Sequence, residues 1–191
     1  LPRELAVLLV GGGLSMAGAA YQGMFKNPMV SPDILGASAG AAFGACLAML
    51  LGLATPVIQL CSFCGGLLAV FVAATATRRF SMDPILGLVL GGVMVSSLFQ
   101  SGTSAIKLLA DAEDKLPQIT FWLMGSFNIM NTRKLLSILL PIGAGIVILF
   151  LLRWQLNILS FGDEEARSMG IRTRRVRNLI IFASTLITAA S

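Results

Sequence analysis

Gly36-Ala37-Ser38-Ala39-Gly40 spells G-x-S-x-G, the spacing of a hydrolase nucleophile elbow. That serine needs a strand before it and a base to take its proton, and the usual base is histidine. The chain has no histidine, and alanine and glycine around Ser38 do not read as a strand. The serine-hydrolase reading therefore fails, and a rhomboid-type intramembrane protease fails on the same missing residue. Cys61-Ser62-Phe63-Cys64 has C-x-x-C spacing. It lies inside an apolar run with no histidine to complete a metal set, so both cysteines read as small apolar residues and no metal is expected. No G-x-x-x-x-G-K-[ST] loop occurs, so ATP is not bound by that route.

Two other patterns remain. Ser96, Gln100, Thr103 or Ser104, and Lys107 recur every three or four positions in an otherwise apolar segment. Such a face either lines an aqueous path or hydrogen-bonds a neighbouring helix, with Lys107 snorkelling to the surface. The second pattern is the segment "LNILSFGDEEARSMGIRTRRVR". Ser160 with Asp163 resembles a capping box. Asp163, Glu164 and Glu165 would occupy a first helical turn, where the helix dipole favours anions. Gly170 would end that helix. A surface helix of about ten residues is expected here, followed by a basic run. Arginines anchored to lipid phosphate and a docking helix for a cytosolic partner both fit this pattern.

The elements that carry these residues are set by composition. The 191 residues are 56% hydrophobic and 12% charged, with mean hydropathy +0.86. A soluble domain carries about 25% charged residues, so the expected class is an all-α polytopic transmembrane bundle. Charge is absent from 34–77, 84–106, 135–152 and 178–191. A hydrocarbon core of about 30 Å takes about 20 apolar residues as helix. Six crossings are expected, at 4–24, 34–53, 56–76, 85–107, 135–152 and from 176 onward, with a break at Ala54-Thr55-Pro56. Leu116 to Phe127 is too short to cross and reads as a re-entrant or surface helix. The chain begins with Leu1 and runs to Ser191 inside an apolar stretch, so it is expected to be one transmembrane domain of a longer protein, cut at both ends. Segment 154–175 lies within it on the cytoplasmic side.

Of the 14 basic residues, nine fall on one side of these crossings and five on the other. The positive-inside rule puts the larger set in the cytoplasm. The net charge of +5 is then a topological bias, not a nucleic-acid footprint. Gly36, Gly40 and Gly44 are spaced by four and would form one smooth helical stripe. Small residues allow the close approach that holds helices together in lipid. Gly11, Gly12, Gly13 and Gly18, and later Gly87, Gly91 and Gly92, are expected to do the same.

Taken in order, "LPR", "AGAAYQGMFKNPMVSPDILGASAGAAFGA", "LGGVMVSSLF", "FWLMGSF" and "LNILSFGDEEARSMGI" resemble the FecCD-type permeases of bacterial ABC importers. That family takes up iron-siderophores, haem and cobalamin. The resemblance runs from Leu1 to Ser191, and "QGMFKNPMVSPDILG" carries it most specifically. It implies a permease of about ten helices, of which this chain holds the second to seventh. It also implies a homodimer seated on two ABC ATPase subunits, an extracytoplasmic binding protein that delivers substrate, alternating access without covalent chemistry, and no cofactor.

Residue roles follow from the same resemblance. Arg3 matches the outer charge that meets a carboxylate on the binding protein. Ser96, Gln100, Thr103 and Ser104 fall on the helix lining the translocation pathway. Arg79, Ser81 and Asp83 match the cytoplasmic gate. Ser160, Gly162, Asp163, Glu164, Glu165, Arg167 and Gly170 match the coupling helices that seat on the ATPase. The location implied is the bacterial cytoplasmic membrane, and iron-siderophore is the substrate expected from family frequency. The competing class is an ATPase-independent secondary transporter or channel. It would have no use for an acidic docking helix and would more naturally bury an acid in its spans.

Overall fold

The computed structural model describes residues 2–77, 84–127 and 130–191. Every regular element among them is helical: α1 (Pro2–Phe25), α2 (Ala37–Leu50), α3 (Thr55–Thr77), α4 (Pro84–Leu109), α5 (Lys115–Met124), α6 (Thr132–Leu151), α7 (Arg153–Phe161), α8 (Asp163–Ser168) and α9 (Thr173–Ala190). The chain divides into two compact units. One holds Leu1–Pro32 with Met130–Ser191, the other Asp33–Ile129.

Among the described residues, four helices are long and apolar enough to cross a membrane: α1, α3, α4 and α6. The other two expected crossings are helices with distinct limits. Helix α2 has 14 residues, about 21 Å at 1.5 Å per residue, against an expectation of 34–53. It is cut short because Gly36 and Gly52 both adopt positive φ, at 79° and 69°. Helix α9 carries Arg174, Arg175 and Arg177 in its opening turns, so its apolar part begins at 178. The short helix expected near 116–127, re-entrant or at the surface, is present as the ten-residue α5, and the break at Ala54 is present as well.

Large apolar side chains point outward. Leu8, Phe71, Leu98 and Leu140 are each more than 60% exposed. The seams between helices are built instead from glycine, alanine and a few branched residues, as expected where lipid, not water, surrounds the bundle. In the 33–129 unit, a Cβ placed on Gly40 would land on the carbonyl oxygen of Gly65, and one on Gly44 would land on that of Cys61. Helices α2 and α3 therefore meet backbone to backbone. Gly92 on α4 packs the same way against the Ile34 carbonyl. Beside this seam, Ala45, Cys46, Met49, Ile106 and Ile119 form a closed apolar cluster. In the other unit, Tyr21, Met24, Ile142, Leu159, Ile180 and Ile187 are fully buried. Gly13 there meets the side chains of Ile142 and Ile187, and Gly145 meets Ile187.

Two readings of the glycines change. Gly36 is not on the α2 stripe. It precedes the helix in a left-handed conformation, and a Cβ there would lie 2.7 Å from Ser96 Oγ. Gly40 and Gly44 alone make the stripe. Gly11 and Gly12 have nothing within 4 Å of where a Cβ would sit, so neither builds a seam within the chain.

The "QGMFKNPMVSPDILG" stretch is held by its own polar side chains. Gln22 Nε2 donates to the Pro28 carbonyl at 3.0 Å, and Asn27 Oδ1 accepts from the Met29 N–H at 2.9 Å. Asp33 Oδ1 accepts from the Ser38 N–H at 2.7 Å, which satisfies one of the free donors at the start of α2.

Candidate functional site

The polar face of α4 divides in two. Ser96 is half-buried and Thr103 is 9% exposed, whereas Gln100 and Ser104 are exposed. Ser96 Oγ donates to the Gly92 carbonyl at 2.8 Å, Thr103 Oγ1 to Phe99 at 3.0 Å, and Ser104 Oγ to Gln100 at 3.0 Å. A hydroxyl bonded to its own helix is nearly free of charge cost in an apolar surround. Ser96 and Thr103 thus belong to the packed side, next to Gly92, Val95 and Ile106.

The exposed polar strip is a different set: Ser97, Gln100, Ser101 and Ser104. Ser97 and Ser101 were missed by the sequence reading. Their spacing to each other, and that of Gln100 to Ser104, is the same i, i+4 step. Ser97 Oγ donates to Val93 at 3.0 Å and Ser101 Oγ to Ser97 at 2.8 Å. The strip therefore presents satisfied hydroxyls and one amide, that of Gln100. This surface is polar and holds no fixed charge. Lys107, in the last turn of α4, is half-buried.

The second candidate region is α7, α8 and the start of α9. Helix α7 follows α6 directly at Leu152 and buries Ile158 and Leu159. The capping box expected at Ser160 does not form. Helix α7 continues through Phe161, so Ser160 lies inside it and its Oγ donates back to the Asn157 carbonyl at 2.6 Å. The residue before α8 is Gly162, and no side chain caps the helix. The helix itself has six residues, not about ten.

Glycine is required on both sides of α8. Gly162 has φ 148°, and a Cβ there would strike the Glu165 carboxylate, with Lys26 Nζ 3.3 Å away. Gly170 has φ 78° and ends α8 as expected. Its N–H donates to Arg167 at 2.9 Å and the Ile171 N–H donates to Ala166 at 2.9 Å. This paired pattern closes the helix and buries Ala166 and Ile171 against each other's turn.

Asp163 does not merely face the helix dipole. Its Oδ1 accepts from Arg177 Nη2 at 2.8 Å, which ties α8 to the first turns of α9. Arg177 was counted in the sequence only as a cytoplasmic charge. Glu164, Glu165 and Arg167 are exposed around this tie, leaving an acidic and basic surface on a helix clamped at both ends.

Arg3 is exposed in the first turn of α1, beside Glu4. Arg79, Ser81 and Asp83 lie outside the described residues. Cys61 contributes its backbone oxygen to the Gly44 seam, and Cys46 is buried in the apolar cluster at the end of α2. Among the described residues no group of three or more histidine, cysteine, aspartate or glutamate side chains is placed to hold a metal ion.

Comparison with known proteins bears on these features together. The family model of the FecCD transport family matches residues 1–191. The molybdate import system permease protein MolB of Haemophilus influenzae is 38% identical over 189 residues, covering 99% of this chain and 56% of that protein. The ferric enterobactin transport system permease protein FepD of Escherichia coli is 36% identical over 194 residues, covering 100% of this chain and 58% of that protein. A cobalamin import system permease protein, BtuC of Halobacterium salinarum, is 31% identical over 192 residues, covering 100% of this chain and 52% of that protein. A solved structure assigned to the metal-chelate type of ABC transporter, in an inward-facing conformation, superposes with a TM-score of 0.91 at 38% identity. That match covers 100% of this chain and 61% of the other. The chain thus spans little more than half the length of the curated relatives it matches.

Proposed function

The chain belongs to the FecCD transport family, and from that premise we propose that it forms part of the permease of an ATP-driven importer in the bacterial cytoplasmic membrane. It catalyses no covalent step. The observation that carries the reading is the clamped helix α8. A helix of six residues, bounded by Gly162 and Gly170 and tied to α9 by Asp163 and Arg177, is built to move as one piece with the helix it joins.

In this proposal residues 1–191 are one permease domain with six crossings, α2 and α9 included, and 154–175 is its coupling segment. Glu164, Glu165 and Arg167 meet an ABC ATPase subunit. When ATP closes the ATPase pair, α8 shifts, and the Asp163–Arg177 pair passes the displacement to α9. ATP can bias the permease only through a difference in affinity between its two states. Arg3 meets the substrate-binding protein on the outer side, and a second permease copy completes the path. The path residues are Gln100 and Ser104, joined by Ser97 and Ser101, with Ser96 and Thr103 supporting them from the packed side. Arg79, Ser81 and Asp83 form the cytoplasmic gate. The substrate is a bulky metal chelate of the iron-siderophore class. An uncharged, weakly binding strip suits a cargo handed over by another protein.

The test is uptake by the full-length permease in liposomes, with its ATPase and binding protein, with and without internal ATP. ATP-dependent accumulation of ferric siderophore is expected. Accumulation of molybdate or cobalamin alone would keep the importer and replace the cargo. Flux that ignores ATP and follows an ion gradient would reject the importer. Two variants separate the partners: Arg3→Glu should weaken binding-protein docking only, and Glu164→Lys with Glu165→Lys should weaken ATPase attachment only.

A further inference from the structure

A groove of about 430 Å³ opens between α7, the turn after α8, and the first turns of α9. Its rim carries Arg172 and Arg175, both exposed, and neither makes an ion pair among the described residues. Gln155 lines its floor, and the buried Gln155 Oε1 has no hydrogen-bond partner among the described residues. Trp154, 63% exposed, and Leu152 and Leu179 form the walls. Helix α9 begins here at Thr173 with no side chain capping its N–H groups.

These features ask for one kind of occupant. Two guanidinium groups and an uncapped helix start favour a phosphate. A buried amide oxygen without a partner is costly and is relieved by a hydroxyl donor. The tryptophan and the leucines offer an apolar wall at one end. From there exposed Leu179 and Phe182 continue along α9 toward the apolar span. Basic pockets beside spanning helices on the cytoplasmic side suit anionic headgroups, and tryptophan prefers that depth.

We propose that this groove binds one anionic phospholipid with a hydroxyl-bearing headgroup, of the phosphatidylglycerol kind. Its phosphate lies between Arg172 and Arg175, the Gln155 amide turns toward the groove so that its Oε1 accepts from a headgroup hydroxyl, and an acyl chain runs along Leu179 and Phe182. The inference concerns the lipid around the protein and stands whichever solute is carried. It places a lipid two residues from Arg177, whose partner Asp163 sits on α8.

The test is lipid retention by the full-length permease, read by native mass spectrometry after titration with defined lipids in detergent. Phosphatidylglycerol should be retained over phosphatidylcholine and over phosphatidylmethanol, which has the same charge and no headgroup hydroxyl. Arg172→Gln with Arg175→Gln should lower phosphatidylglycerol retention about tenfold. Arg167→Gln with Arg174→Gln removes the same charge outside the groove and should leave retention near wild type. Gln155→Leu should erase the preference over phosphatidylmethanol alone. Melting temperature checks that each variant is folded. If the arginine pair does not assemble, the wild-type preference and Gln155→Leu still decide. Equal retention of all three lipids, equal loss from both arginine pairs, or displacement by millimolar inorganic phosphate would each overturn the proposal. The last outcome would mean a soluble-anion site.

Discussion

The two units close their helix seams with the same residue and in different ways. Between α2 and α3, Gly40 and Gly44 face backbone, the carbonyls of Gly65 and Cys61. Around α1, α6 and α9, Gly13 faces the isoleucine side chains of Ile142 and Ile187, while Gly145 faces Ile187 together with the Ala183 carbonyl. A carbonyl in a helix cannot step aside without breaking that helix. A side chain can turn or shift by a few tenths of an ångström. The 33–129 unit is therefore stiff at its seam and carries the polar strip of α4. The other unit, which carries α8, is more yielding where Gly13 of α1 packs, and is held by backbone where Gly145 meets the Ala183 carbonyl.

Substitutions at these glycines test the contrast directly. The largest effect is expected from Gly44→Leu, because no rotamer avoids the Cys61 carbonyl. It should cost about 3 kcal/mol or more and prevent recovery of folded full-length protein from detergent. A normally folded Gly44→Leu variant would refute the backbone contact. Next comes Asp163→Ala, which strips Arg177 of its partner and leaves a partly buried guanidinium, whose Nε already lacks one. About 1–3 kcal/mol is expected, together with ATP hydrolysis that no longer drives uptake. Loss of stability with coupling intact would make the pair a mere brace.

Smaller effects sharpen the comparison from the other side. Gly13→Ala places a Cβ 2.9 Å from Ile142 Cγ2 and 3.0 Å from Ile187 Cγ2. Those side chains can give way, so about 1 kcal/mol is expected, visible as a lowered melting temperature with folding intact. If Gly13→Ala is as damaging as Gly44→Leu, the two seams are equally stiff. Gly11→Ala has open space around it and should stabilise α1 by up to about 1 kcal/mol, unless another chain packs there. A destabilised Gly11→Ala would point to such a neighbour.

Several features of the fold could be read in advance because they depend on local physics. Charge-free runs set where helices can lie, and α1, α3, α4 and α6 follow them. Gly170 was legible as a helix stop, since a residue with positive φ favours glycine. The Ser160 cap was not. Its pattern is genuine, but a further helix, α7, which the sequence reading did not anticipate, runs over Arg153–Phe161 and takes Ser160 inside. The α4 face was read with the right period, and burial divides it, with Gln100 and Ser104 exposed and Ser96 and Thr103 turned into the packing. Spacing shows that polar residues share a side, whereas Gly92 against the Ile34 carbonyl and Thr103 in the packed side decide which part of it is open.

By itself, the sequence determined that this is a helical membrane protein and to which family it belongs, because composition and motif order survive without contacts. Only the tertiary structure decided that Gly36 is a turn and not part of a stripe. It also decided that Asp163 pairs with Arg177, that Gln155 Oε1 lacks a partner, and that Gly44 meets backbone where Gly13 meets isoleucine. Each of these depends on which atoms from distant parts of the chain arrive within a few ångströms of each other, and no local pattern encodes that distance.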